Sequence, residues 1–231
     1  IWLYIKMIQY ADLRADFNAG AAAIARALKG EKFPSAPTPV KARITGAETM
    51  RAYLPYLNTV PLTGRDTDLE KLRAMLGAHV TQITAVGGTG KSRIAAEIAL
   101  SAAHGAIWHR CSETSGAYQV IDLIRQHYGF DEKTPDDRAL AALDSGAPLI
   151  VIDNAEDVTA GTERRTGYTD LLQRIAAHGA FIVLTARAVW DELKPRKEHP
   201  LHPITLDQAE QVALAFAAAE GITLKAGEAR Q

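Results

Sequence analysis

An α/β fold, built as a doubly wound, mostly parallel sheet of five strands, is predicted by three features of the sequence. Short apolar runs alternate with segments of helical period in the order β-α-β-α-β-α-β. A glycine-rich stretch, Ala85-Val86-Gly87-Gly88-Thr89-Gly90-Lys91-Ser92, joins the first core run to a helix. A wholly apolar run, Leu149-Ile150-Val151-Ile152, ends in Asp153, as a strand buried on both faces ends at the ligand-binding edge of a parallel sheet.

The elements follow in order. Residues 1–30 combine a strand-compatible start with a helix pattern over 16–29, in which Phe17, Ala21, Ile24, Ala25 and Leu28 share a face. They are too few for a core and are expected to end an upstream domain. Residues 31–60 carry Pro34, Pro37, Pro39 and Pro55 and read as a linker, with a short helix near 47–54. The core domain is expected over 61–205. It opens with a helix capped by Asp66 or Thr67, whose Leu69, Leu72 and Leu76 share a face. Strands are expected at 80–86, 106–109, 148–154, 180–187 and, as a final apolar piece, 201–206. Helices are expected over 93–100, 116–128, 135–143 and 169–177. A helix from Asp207 to about Glu220 opens a further helical subdomain, 206–231.

Composition narrows the class. Lys and Arg number 26 against 27 Asp and Glu, a net charge of −1, so no global basic field points to nucleic acid or an anionic membrane. The single cysteine, Cys111, excludes an intrachain disulfide and a cysteine-based zinc site, fits a cytoplasmic setting, and reads as a small buried hydrophobe. No apolar run approaches the ~18 residues that span a bilayer. The start at Ile1 has neither Met nor the basic flank of a signal peptide, so a piece of a longer chain is expected.

The chemistry concentrates at 85–92. Gly87, Gly88 and Gly90 let the backbone turn several N–H groups, Thr89 included, toward one point, and the next helix aims its positive dipole end there. Such a cradle suits polyphosphate. Lys91 reaches the β- and γ-phosphates, and the Ser92 hydroxyl and Asp153 carboxylate hold Mg²⁺. One departure stands out: the pattern G-x-x-x-x-G-K-[ST] begins with Gly, and this chain has Ala85.

The order of these pieces resembles the STAND class of P-loop NTPases, which includes NB-ARC domains. The resemblance rests on Leu62-Thr63-Gly64-Arg65-Asp66 with Leu69, on Gly90-Lys91-Ser92, on 149–154, and on Ile182-Val183-Leu184-Thr185-Ala186-Arg187. It implies an ASCE-type sheet in which the strand ending at Thr185 lies between the phosphate-loop strand and the strand ending at Asp153. It implies that Thr185 and Arg187 approach the γ-phosphate, that Thr63, Gly64 and Arg65 close over adenine and ribose, and that Arg93 belongs to the nucleotide-binding set. It implies ATP or ADP with Mg²⁺ as cofactors. Asn154 stands where the family often places an acidic base and cannot accept a proton, so Glu156 is the candidate to orient water.

The family's use of nucleotide implies a slow ATPase switch that controls homo-oligomerisation, with the trigger sensed beyond Gln231. Residues 8–17, with the helix ending Arg26-Ala27-Leu28-Lys29-Gly30, are similar to the C-terminal end of a bacterial TIR domain, which implies an NAD-cleaving effector in antiviral defence. An amphipathic helix of another domain meets the same pattern. A transcriptional regulator and a non-hydrolysing scaffold are the other readings. A small GTPase lacks its Asn-Lys-x-Asp motif here, and an ABC ATPase its Leu-Ser-Gly-Gly-Gln.

Overall fold

The computed structural model describes residues 44–222, apart from 55, 56, 58, 59, 78 and 160. The expected upstream end at 1–30 and the polar terminus after 222 lie outside the described residues. The strands are β1 (Ile44–Thr45), β2 (Val80–Thr84), β3 (Ala106–Arg110), β4 (Leu149–Asp153), β5 (Ile182–Ala186) and β6 (Arg196–Pro200). They form one sheet in the order β1-β3-β4-β5-β2-β6, and every pairing is parallel. β5 therefore lies between β2 and β4, the order implied by the resemblance.

The sheet has six strands rather than five, for two reasons. Ile44–Thr45 pairs with Ala106 and Ile107 inside the stretch expected to be a linker, because two residues carry no readable alternation. The last strand is Arg196–Pro200 and not the apolar piece at 201–206. Backbone bonding to β2 selects it, in register Val80 to Arg196 through Thr84 to Pro200. As an edge strand it needs no apolar character on both faces, and only His199 is buried. Leu201 still packs inward and donates its N–H to Thr84 at 2.8 Å, but the chain then leaves the sheet.

Period two in the central strands builds two cores. Ile107, Ile150, Ile152, Ile182 and Leu184 face one side. There they meet Val120, Ile121 and Ile124 of α4 (Tyr118–Tyr128), Leu140 of α5 (Asp136–Ala141), and Tyr168, Leu172 and Ile175 of α6 (Glu163–Ala177). Ile83, Trp108, Val151 and Val183 face the other side, against Met50 of α1 (Ala47–Tyr53), Leu72 of α2 (Asp66–Met75) and Ile94 and Ile98 of α3 (Lys91–Leu100). α6 starts six residues before its expected start at 169, because its first turn is polar and Thr162 caps it, accepting from the Arg165 N–H at 3.2 Å. α7 (Leu206–Ala219) begins with a capping box in which Thr205 and Gln208 satisfy each other's backbone N–H groups. Among the described residues no helix is long and apolar enough to cross a membrane.

One buried pair gives the fold an acid sensitivity. His109 on β3 shares a 2.7 Å hydrogen bond with the Tyr168 hydroxyl, and burial pushes its pKa down to about 4 from 6.5. The unfolded chain then binds more protons between those two values, so stability falls as pH is lowered from 6.5 toward 4. Thermal melts across that window should show a shallower fall for His109→Gln than for wild type. Equal slopes would assign the acid sensitivity to other groups.

Candidate functional site

All six strands run the same way, so their C-terminal ends meet at one edge, and the predicted site residues gather there. The loop from β2 to α3 turns at Gly88 and Gly90, with φ of 81° and 94°, values that residues with a Cβ seldom adopt. A Cβ added at Gly87, Gly88 or Gly90 would meet no atom within 4 Å, so the loop encloses open space. α3 begins at Lys91 and points its N-terminus at that space. Lys91 is 8% exposed, and its Nζ donates to the carbonyls of Ala85 at 2.9 Å and Val86 at 3.1 Å. Ala85 needs no positive φ, so the departure from glycine is accommodated.

Asp153 is the junction of the site. It is fully buried, and its Oδ1 accepts from the Ser92 hydroxyl and the Thr185 hydroxyl, both at 2.7 Å. Its Oδ2 accepts from Arg110 at 2.8 Å. Three strands and the first turn of α3 thus converge on one carboxylate. Thr185 also accepts the Asn154 N–H at 2.9 Å, so it sets the chain's exit from β4. Asn154 itself adopts φ 61°, a conformation Asn tolerates better than most, and its amide bonds Asp157 at 2.5 Å. Its side chain is spent on shaping the turn. Glu156 follows in that turn, with Oε1 accepting from Arg187 at 3.1 Å and Oε2 buried without a partner. Arg187 is largely exposed.

Arg65 is placed behind the loop. It is 6% exposed and donates to the Thr89 carbonyl at 2.8 Å, to the His202 carbonyl at 2.8 Å and to Asp68 at 3.0 Å. Burial pushes the Asp68 carboxyl up, but hydrogen bonds from His199 and Arg65 outweigh it and hold the group below its ordinary value. The Gly64 carbonyl accepts from Gln208 at 3.3 Å, which ties this segment to α7. Beside the loop lies an apolar cavity of about 360 Å³, walled by Leu54, Leu57, Leu62, Val212 and Phe216, with Thr63 and Arg65 on its lining and Gly88 and Gly90 at its end. Arg93 borders it but is committed to the carbonyls of Leu57 at 3.2 Å and Val60 at 2.9 Å and to Glu97.

Sequence reasoning missed Arg110, Asp68 and His199. The signal for Arg110 was present, since it closes a mostly apolar run as Asp153 does, but the strand was expected to stop at His109. Asp68 and His199 lie 131 residues apart, and nothing local announces their 2.8 Å contact. Cys111 is buried, its thiol pushed up to about 12 by burial, so it serves as packing rather than as a nucleophile.

No known family's sequence profile matches the chain, and no curated protein matches it in sequence. Among solved structures, it is similar to a signal transduction ATPase with numerous domains (STAND) with a tetratricopeptide repeat sensor from Pyrococcus horikoshii. The TM-score is 0.51 at 15% identity, over 74% of this chain and 28% of that one. Domain III of the replication initiation protein DnaA from Thermotoga maritima gives a TM-score of 0.45 at 11% identity, over 80% of this chain and 74% of that one. The first likeness shows the fold: an α/β P-loop NTPase fold. The chain spans 28% of that STAND protein's length.

Proposed function

We propose that this chain is the nucleotide-binding module of a signalling switch, holding ATP or ADP with Mg²⁺ at the 85–92 loop and hydrolysing ATP slowly. The observation that carries this reading is the junction at Asp153: a buried carboxylate and the first-turn hydroxyl of α3, 61 residues apart, meet at 2.7 Å beside an open glycine loop. Their donor set is hard oxygen, which fits a small divalent cation completed by phosphate oxygens and water. When bound, that cation neutralises phosphate charge. The chain's own residues do the rest. Loop N–H groups and the α3 dipole hold the phosphates, Lys91 leaves the Ala85 and Val86 carbonyls to reach them, and the apolar cavity takes the flat base.

Glu156 orients water through its unpartnered Oε2, and Arg187, held on Oε1, senses the terminal phosphate. Arg65 bonds both the loop and the chain entering α7, and through it occupancy changes the set of that helix. In the fuller version the switch governs a homo-oligomer and an upstream effector, a TIR NADase in antiviral defence, with the trigger sensed beyond Gln231.

Calorimetric titration of the chain with ATP and ADP, with Mg²⁺ and with EDTA, tests the core of this reading. Saturable binding strengthened by Mg²⁺ is expected, and no saturable binding of either nucleotide would overturn it. Phosphate release by Glu156→Gln should fall about hundredfold or to background, the size of a general-base contribution. An unchanged rate would remove Glu156 from the chemistry.

A further inference from the structure

The nucleotide site contains a positive charge that neither the loop nor the expected cation accounts for. Arg110 ends β3 directly opposite Asp153 in the β3–β4 register. Its guanidinium sits 2.8 Å from Asp153 Oδ2, and among the described residues Asp153 is its one carboxylate partner. The guanidinium carbon lies over the Tyr53 ring, 3.9 Å from its centre. Tyr53 is the last residue of α1 and borders the apolar cavity.

A fully buried carboxylate is costly without a compensating charge. Ser92 and Thr185 supply hydroxyl hydrogen bonds to Oδ1 but no charge. Arg110 supplies the charge, on the oxygen the hydroxyls leave free. A divalent cation drawn to the same carboxylate would meet a guanidinium already bonded there, and two cations on one carboxylate repel each other.

We infer that Arg110 is a built-in counter-ion for Asp153, standing in for the divalent cation and yielding to it when the metal–nucleotide complex binds. The inference rests on the nucleotide reading above and deepens it. Because the guanidinium leaves Asp153 and Tyr53 together, arrival of the cation at the phosphate end loosens α1 at the base end. One ligand thus reports on itself at two walls of its site. The device also favours nucleotide arriving already complexed with metal, since the exchange of one cation for the other is then concerted.

Two measurements test this. Thermal unfolding in EDTA without nucleotide is compared for wild type, Arg110→Gln, Asp153→Asn and the double variant. Arg110→Gln should lower the midpoint by roughly 5 °C or more in the wild-type background and far less in the Asp153→Asn background. Additive losses would overturn the counter-ion role. The second measurement is the Mg²⁺ concentration for half-maximal ATP binding. Arg110→Gln should reduce it about tenfold, with affinity in EDTA changed less than about twofold. Arg110→Lys, which keeps the charge but not the planar fork, should fall between.

An unchanged Mg²⁺ requirement, or a large loss of affinity in EDTA that makes Arg110 a phosphate ligand instead, would overturn the inference. Tyr53→Ala should shift the Mg²⁺ requirement in the same direction by less, and no shift would remove α1 from it. Failure of wild type to bind nucleotide would sink the functional reading and the yielding step with it, while the unfolding cycle, which needs no nucleotide, decides the counter-ion role by itself.

Discussion

Lys91→Ala is expected to weaken ATP binding by at least about hundredfold while leaving the unfolding midpoint nearly unchanged. The two effects separate because the side chain has two sets of partners. In the structure Nζ holds the Ala85 and Val86 carbonyls, and Val86 is 69% exposed, so water replaces the amine there at small cost. Toward a triphosphate the same group offers charge-assisted hydrogen bonds of about 1.5–3 kcal/mol each, and two of them account for the factor. Lys91→Arg should not restore binding, because a broad planar fork does not fit a loop shaped for a point charge. Titration with Mg²⁺-ATP and a thermal melt of the same preparation decide the matter. Affinity within about threefold of wild type would place the phosphates elsewhere.

The largest stability effect is expected at Trp190. Its ring is 1% exposed, meets Tyr168 edge-on at 6.4 Å, lies under the Arg165 guanidinium at 4.2 Å and donates Nε1–H to Thr169 at 3.1 Å. Trp190→Ala should cost about 3–5 kcal/mol, a large share of the roughly 5–15 kcal/mol that holds a domain together. The backbone of residue 190 keeps its two bonds to the buried Gln82 side chain, at 2.8 and 2.9 Å, so the loss belongs to the ring. Chemical denaturation of the variant measures it, and a loss under about 1 kcal/mol would mean that the surrounding shell collapses into the space.

The parts legible in the sequence share a physical character. The four central strands are buried, and β4 and β5 each carry a wholly apolar run whose polar end marks the functional edge. Asp153 and Thr185 were found that way. The 85–92 loop was legible because glycine is the residue that most readily takes the positive φ found at Gly88 and Gly90. What escaped was set by long-range geometry. Trp190 sits in a stretch without period, yet it is held by Gln82, 108 residues away. Arg110 was passed over because the strand was expected to stop at His109, and its partner appears only when β3 and β4 lie side by side. Asn154, read as a missing base, proved to be a turn residue chosen for its φ of 61°.

The strand that hydropathy overlooked has a consequence for how copies of this protein meet. Arg196, Lys197 and Glu198 place three successive charges along β6, Arg196 bonds Asp191 and Glu198 along the rim, and Pro200 has no N–H to offer. A strand from another molecule that tried to extend the sheet here would bury those charges against its own backbone. This flank is thereby guarded against amyloid-like stacking and edge-to-edge fusion. An assembly that joins through side-chain surfaces leaves this rim of the hydrogen-bond ladder unshared.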